Sequence, residues 1–531
     1  MNLTEMLKKE EYKKIWTKYC GFLDLSIDEV MEIQERLLME QIDLLSKSYI
    51  GEKIMGKGVK PKTVEEFRRV IPLTTYEDYA DILLNKEEDK LPCKTKYWIQ
   101  TTWRGGSNPI KLAPYSEEML KEHTKCMIGS LLLCTSEKKG DINLRNEDTF
   151  LYGMAPLPYL TGLLPYIVGN EIEFNYLPPL DEAQTMSFEE RNVKGFQMGI
   201  EKGIDLFFGL SSVLVRIGES FANHNNSHET QDKQNKESFM GSYRPKSLKM
   251  WYKLISAVLK SKINKRPILP KDIWSLKGIL CAGTDSRQFV DQIEYYWGKK
   301  PIEVYGGTEL TFVATETWGD KGLTFYPDVN FLEFIPEEEY LRSLSDKSYI
   351  PTTVLLNELE EGKKYELVTT KFKGGVFVRY RVGDIIQCTA KDNAEFGIYL
   401  PQIRYVDRIA NIIDLAGFTR ITADTLSKSF VITGIALEDW VAPKEYIENE
   451  PMLHVYCELK EQDKSEKEVK ESLRNALKKV DHDYEDMEQL LMRDLLMVTL
   501  VKPGSFRRLK EQEMKLSRIN PGEEVIRSIT L

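Results

Sequence analysis

Between about residue 97 and residue 417, short apolar runs of strand length alternate with helical patterns. A chain written this way folds as a layered, mixed α/β body, with strands in the middle and helices against them. Near Gly417 the pattern restarts. "MLHVYCEL" (452–459) alternates apolar Leu453, Val455, Cys457 and Leu459 with polar neighbours, which predicts a half-buried strand with His454 solvated on its polar face. "EKEVKESLRNALKKV" sets Val469, Leu473, Leu477 and Val480 on one helical face, and "LLMVTLV" reads as a further strand. At 531 residues the chain also exceeds what one hydrophobic core usually serves. Two domains are therefore expected: a large, multi-lobed one over 1–415 and a small, mobile α+β one over 416–531. Residues 5–47 read as helical, and Thr74 or Thr75 is expected to cap a helix beginning near Tyr76.

Composition removes several classes of function. The net charge of −10 argues against a general nucleic-acid or anionic-membrane binder, while leaving room for a local basic patch. Seven scattered cysteines without a C-x-x-C suggest reduced thiols and a cytoplasmic protein. "MNLTEMLKKEEYKKIW" has no apolar core of signal-peptide type. The longest apolar stretch, "LYGMAPLPYLTGLLPYIVG", is broken by Pro156, Pro158 and Pro165, so it reads as a buried irregular segment and not as a membrane helix. Of the five histidines only His224 and His228 stand four apart, inside the polar tract 223–238, so a helical metal site is not expected.

Five stretches carry candidate chemistry, each with a plainer alternative. In "IEVYGGTELTFVATE" (302–316) an apolar run ends in Gly306-Gly307, followed by Thr308 and Glu309. Glycines admit close backbone approach to a ligand. Thr308 can donate to a phosphate oxygen, and Glu309 can hold Mg²⁺, a hard cation; the alternative is a polar turn. In "QTTWRGGSNPIKLAP" (100–114), Thr101, Thr102, Gly105, Gly106 and Ser107 precede Lys111, a set able to wrap a polyphosphate or simply to form a surface turn. In "GGVFVRYRVGDIIQCT" (374–389) an alternating strand runs into Gly383-Asp384, where a carboxylate can accept from ribose hydroxyls or the pair can open a hairpin. "DRIANIIDLAGFTRI" (407–421) suits a hinge or an ordinary interdomain loop. Lys515 and Arg518 sit near the C-terminus, and alone would be a solvated face.

The order of these features resembles the adenylate-forming superfamily. Within it the chain looks most like the acyl-acid-amido synthetases of the plant auxin-responsive family and their bacterial relatives. "FRRVIPLTTYEDY", "FYPDVNFLEFIP", "LLNELEEGKKYELVTTKFKGGVFVRYRVGDIIQC" and "VKPGSF" followed by "KLSR" carry the likeness, most specifically over 325–388. The resemblance implies ATP and Mg²⁺ as cofactors. Thr101, Thr102, Ser107 and Lys111 would form the phosphate loop. "LCAGTDSRQF", with Ala282 and Gly283, would help to form the adenine wall. Tyr305, Gly306, Gly307 and Thr308 would line the nucleotide, Glu309 would bind the metal, Asp384 the ribose, Arg408 would match the hinge arginine and Lys515 the catalytic lysine. Asp407, Ala410 and Asp414 depart from the hinge motif, Ser517 replaces a proline, and Trp103 and Arg104 intrude into the phosphate loop.

The implied activity is a ligase that adenylates a carboxylic acid and passes the acyl group to an amine, with an amino acid as the expected acceptor. Lys515, Glu309 and Thr308 would be catalytic. The partners would be small molecules, with no nucleic acid or membrane, and the chain a monomer. A thiol acceptor, or a binding protein on a decayed ligase fold, are the competing readings. "APLPYLTGLLPY" and "DLFFGLSSVLV" (205–215) are apolar enough to line an acyl pocket, or to be core.

Overall fold

The computed structural model describes residues 1–101, 110–223, 248–283, 286–346, 348–408, 412–415, 419–447, 450–461, 464–491, 493–511 and 517–530. They divide into two compact units. One comprises Met1–Thr101, Lys111–Ala282 and Val290–Asp407; the other comprises Thr102–Ile110, Gly283–Phe289 and Arg408–Leu531.

In the first unit, twelve strands among the described residues form one sheet. Asn175–Leu177, Thr149–Tyr152, Leu206–Gly209, Gly278–Cys281 and Ile302–Gly307 run parallel. Their sequences are near-continuous apolar runs, such as "LFFG" and "GILC", because both faces of a parallel strand are covered. At Gly307 the chain reverses, and Thr311–Glu316 pairs antiparallel with the strand it has just left. The order then continues through Leu323–Phe325, Gln402–Arg408, Tyr380–Ala390, Lys364–Lys371, Asn330–Pro336 and Val354–Leu355. The helix Glu117–Thr135, capped by Ser116, packs under this reversal, and from Cys126 to Thr135 every residue is buried. A helix apolar all round belongs in a core.

The expected helical region 5–47 consists of three α-helices among the described residues: Leu3–Lys8, Tyr12–Cys20 and Ile27–Leu45. Glu10 takes a left-handed φ of 56° between the first two. Ser26 and Glu29 form a capping box that starts the third, a local hydrogen-bond choice that apolar periodicity does not register. Thr75 does cap, but over a short 3₁₀ turn, Tyr76–Asp78. The segment "RRVIPLTTYEDY" is anchored by Arg379. Its guanidinium donates to the carbonyls of Arg68 and Ile71, both at 2.6 Å, and forks onto the fully buried Glu333 at 2.8 and 3.1 Å. Breaking such a pair by removing one partner costs about 3–5 kcal/mol.

The second unit has a four-stranded sheet with Glu450–Leu459 in its middle. That strand is antiparallel to Leu437–Val441 and Lys444–Ile447, and parallel to Leu496–Leu500. It is not half-buried: all ten residues are covered. Leu453, Val455 and Cys457 meet Val469, Leu473 and Leu477 of the helix Glu466–Val480 on one side. Tyr456 meets Phe506, Leu509 and Val525 on the other. His454 is therefore not solvated. Its Nδ1 lies 2.6 Å from Glu445 Oε2 and its Nε2 lies 2.8 Å from Thr499 Oγ1. Polar residues alternate here because they pair within the unit, and alternation alone cannot distinguish that from exposure. Among the described residues no helix is long and apolar enough to cross a membrane. All seven cysteines are free thiols, six of them buried.

His123, in the helix Glu117–Thr135, is wholly buried; its Nδ1 accepts from the Phe312 amide at 3.4 Å and its Nε2 has no partner. Burial, with Lys371 nearby, lowers its pKa from 6.5 to about 3. Between those values the unfolded chain holds a proton that the folded chain lacks, so stability is lost as pH falls through that window, by up to about 1.4 kcal/mol per pH unit. Urea unfolding at pH 7 and pH 4.5 should show this loss in the wild type and a shallower one in His123→Gln. Parallel pH profiles would assign the acid sensitivity to other groups.

Candidate active site

The strand Ile302–Gly307 is the last parallel strand, and its carboxyl end is where ligands bind in open α/β sheets. The reversal there needs glycine at 306: a Cβ would sit 2.2 Å from the Thr311 carbonyl oxygen. A Cβ on Gly307 would meet nothing within 4 Å, so this residue faces open space. Thr308 and Glu309 lie on the turn between the strands. Its backbone is held from several sides. Tyr115 donates to the Thr308 carbonyl at 2.7 Å. Asn330 Nδ2 and Lys371 Nζ both donate to the Leu310 carbonyl, at 3.0 and 2.9 Å, and Lys371 also reaches Thr311 Oγ1 at 2.7 Å. Burial pushes the Lys371 ammonium down to about 7, with Cys126, Glu122 and Asp328 acting in the opposite direction.

Glu309 is embedded in a triangle of polar atoms. Lys111 Nζ lies 3.4 Å from its Oε1, the Tyr380 hydroxyl donates to the same oxygen at 3.1 Å, and Lys111 lies 3.3 Å from that hydroxyl. Tyr305 donates to Asp384 Oδ2 at 2.7 Å. The two contacts are reciprocal. Tyr305 precedes Glu309 by four residues, Tyr380 precedes Asp384 by four, and each tyrosine holds the other segment's carboxylate. The strands concerned are four places apart in the sheet order. In a flat sheet that separation would be roughly 19 Å. The sheet therefore curls, and the curl brings residues 305–309 and 380–384 together.

Asp384 does not follow a hairpin turn. The strand Tyr380–Ala390 runs straight through it, with a bulge opposite Leu367 where the register passes from Arg381–Val368 to Ile385–Glu366. Gly383 takes a φ of 80° in that bulge. Three residues, 382–384, oppose Leu367 there; the two extra residues re-aim the chain, and Asp384 is buried against Tyr305. Lys111 comes from a hairpin, Tyr97–Gln100 with Leu112–Tyr115. Thr101 closes it: its amide donates to the Lys111 carbonyl at 3.0 Å, and its Oγ1 accepts from the Lys111 amide at 3.2 Å. Lys111 Nζ stands 5.3 Å from the centre of the Tyr76 ring, a cation–π distance. Burial raises the Tyr76 phenol to about 12, so it stays protonated near neutrality.

The structure thus gathers Lys111, Thr101, Thr308, Glu309, Tyr305 and Asp384 in the first unit. Ala282 follows the strand Gly278–Cys281, and its amide donates to the Gly209 carbonyl at 3.2 Å. Gly283, with a φ of 131°, begins a segment of the second unit. Arg408 ends the strand Gln402–Arg408. Thr102, Ser107 and Lys515 lie outside the described residues, as do Trp103, Arg104, Ala410, Gly417, His224 and His228. Around the expected hinge, Ile412–Leu415 and Thr419–Thr422 form a hairpin. Asp414, which departs from the family lysine, is a buried partner of Arg420 at 3.0 Å. Tyr76, Tyr115, Tyr380, Asn330 and Lys371 were not read from the sequence. Only Tyr380 left a trace: in "VRYRV" the two arginines reach buried Glu333 and Glu366, so the tyrosine between them must face the other way. "MAPLPYLTGLLPY" borders a cavity of only ≈ 20 Å³, room for about one water. Among the described residues no three His, Cys, Asp or Glu side chains gather to hold a metal.

This architecture is that of the adenylate-forming ligases. The chain overlays on 2-hydroxyisobutyryl-CoA ligase, solved with 2-HIB-AMP and CoA, with a TM-score of 0.52 at 14% identity, covering 92% of this chain and 93% of that one. It also matches the Arabidopsis AtGH3.15 acyl acid amido synthetase solved with 2,4-DB, with a TM-score of 0.49 at 17% identity, over 94% and 93% of the two chains. Residues 21–147 match the GH3 family N-terminal domain and residues 323–408 the GH3 family central domain. Indole-3-acetic acid-amido synthetase GH3.3 of Arabidopsis thaliana is 33% identical over 129 residues, 23% of this chain and 19% of that protein. Two stretches of the chain thus match GH3 family domains, and part of it is similar in sequence to GH3 amido synthetases. It spans about a fifth of the length of such plant synthetases.

Lys371→Met removes two of the hydrogen bonds beneath the Gly307–Thr311 turn. It should destabilise the protein by about 1–3 kcal/mol. Amide hydrogen exchange should quicken at 307–311 and stay unchanged in the second unit. Unaltered exchange at the turn would show that Asn330 and Tyr115 hold it without the lysine.

Proposed function

We propose that the protein is an ATP-dependent ligase that activates a carboxylic acid as its acyl-adenylate and transfers the acyl group to an amine, with an amino acid as the acceptor. One observation carries the reading: the reciprocal Tyr305–Asp384 and Tyr380–Glu309 contacts put two carboxylates, a lysine and an open glycine turn at the end of the last parallel strand. The similarity to GH3 synthetases supports the amide product.

In this reading Asp384 accepts from the ribose hydroxyls, with its orientation fixed by Tyr305. Thr308 donates to the α-phosphate, and the open face of Gly307 gives the nucleotide room. Lys111 and the hydroxyls of Thr101, Thr102 and Ser107 hold the departing pyrophosphate. Glu309 fits magnesium: it is one hard carboxylate two residues from the open face of Gly307, and Mg²⁺ is bound through one or two carboxylates plus phosphate oxygens and water. When bound, the ion supplies charge neutralisation at the phosphates. Lys111 shares Glu309 Oε1 with Tyr380, so a change of partner at that oxygen turns the ammonium toward phosphate. Lys515 is the cation proposed to offset the charge that builds on the α-phosphoryl oxygens as two anions meet.

ATP–pyrophosphate exchange screened across carboxylic acids, then mass analysis with amino acids or thiols offered, tests the whole reading. Exchange with some acid and amide formation are expected; a thioester product instead would make the acceptor a thiol, and no exchange with any acid would leave a binding protein. Glu309→Gln should cut exchange on the order of 10²-fold and raise the magnesium requirement. Lys515→Ala should slow adenylate formation similarly while sparing aminolysis of a supplied acyl-adenylate; equal loss in both half-reactions would remove it from the first step.

A further inference from the structure

The helix Leu248–Asn264 packs by one face only. Met250 and Ala257 are buried. The opposite face carries Trp251, Tyr252, Ile255, Val258, Leu259 and Ile263, exposed by 46, 74, 57, 41, 55 and 78%. Their spacing is helical, so they form one stripe and not scattered exposures. Single exposed apolar residues need no explanation, but a contiguous patch does.

The charge around the stripe is equally one-sided. From Leu248 to Arg266 the sequence holds Lys249, Lys253, Lys260, Lys262, Lys265 and Arg266, and no aspartate or glutamate, in a chain whose net charge is −10. Arg266 is engaged by Asp272 at 2.6 Å. Lys260, Lys262 and Lys265 are exposed. We propose that this helix docks the protein reversibly on an anionic lipid surface. The apolar stripe enters the boundary between headgroups and acyl chains, with Trp251 and Tyr252 at headgroup depth. Lys260, Lys262 and Lys265 extend along the helix to lipid phosphates and carboxylates. A second copy is a poorer occupant: it would bring another lysine-rich stripe with no acidic residue to meet the first.

The test is co-sedimentation of the full chain with phosphatidylcholine vesicles, with and without phosphatidylserine. Binding to the anionic vesicles is expected, and at least about tenfold weaker binding without phosphatidylserine or at high salt. Ile255→Glu with Leu259→Glu, and separately Lys260→Glu with Lys262→Glu, should each weaken it about tenfold or more. All four side chains are exposed, and matching melting curves would show the fold intact. As a readout that needs no charge change, brominated lipid should quench the wild type more than Trp251→Phe. The proposal is overturned if the wild type binds neither vesicle, if the variants bind as it does, or if the stripe instead drives a dimer that Ile255→Glu abolishes.

Discussion

Everything near the candidate site depends on one reversal of chain direction, just after Gly306-Gly307. A side chain at Gly306 would collide with the Thr311 carbonyl, so only glycine lets the last parallel strand fold back on itself. That reversal converts a parallel half-sheet, made for ligand binding at its carboxyl ends, into an antiparallel half-sheet free to curl. Thr308 and Glu309 ride on the turn between the two. Because the turn is short, its polar backbone must be satisfied from outside, by Tyr115, Asn330 and Lys371.

The curl then does what no local rule requires. It closes the distance between strands four places apart until two tyrosines exchange partners with two carboxylates. Both contacts join the same two segments, 305–309 and 380–384. Behind this face, Arg379 and Glu333 fasten the "RRVIPLTTYEDY" segment to the same strand through carbonyl oxygens of Arg68 and Ile71. The GH3 likeness therefore falls on segments that are physically joined. Residues 21–147 supply Lys111 and the segment held by Arg379, and residues 323–408 supply Arg379, Tyr380 and Asp384.

Much of this was legible, and the failures have physical causes. Gly306-Gly307 with Thr308-Glu309, and Gly383-Asp384, are visible because glycine marks places where a side chain does not fit, as at Gly306, or where the backbone is left-handed, as at Gly383. Residues 5–47 are helical as expected, but their division into three helices was not legible, because apolar periodicity does not register the left-handed Glu10 or the Ser26 capping box. His454 was misread because alternation reports two faces of a strand without reporting what covers them; here a second cluster around Phe506 covers the polar side. Gly383-Asp384 was open between a turn and a ligand site, and a bulge settles its backbone.

By itself the sequence determined the α/β class and offered a short list of polar candidates, since composition and spacing are local properties. Tertiary structure alone decided which of those groups meet. Lys111, Glu309 and Tyr380 are separated by 198 and 71 residues along the chain and by about 3 Å in space. No local pattern encodes that distance; it follows from the curl of the sheet, which is a property of all its strands together.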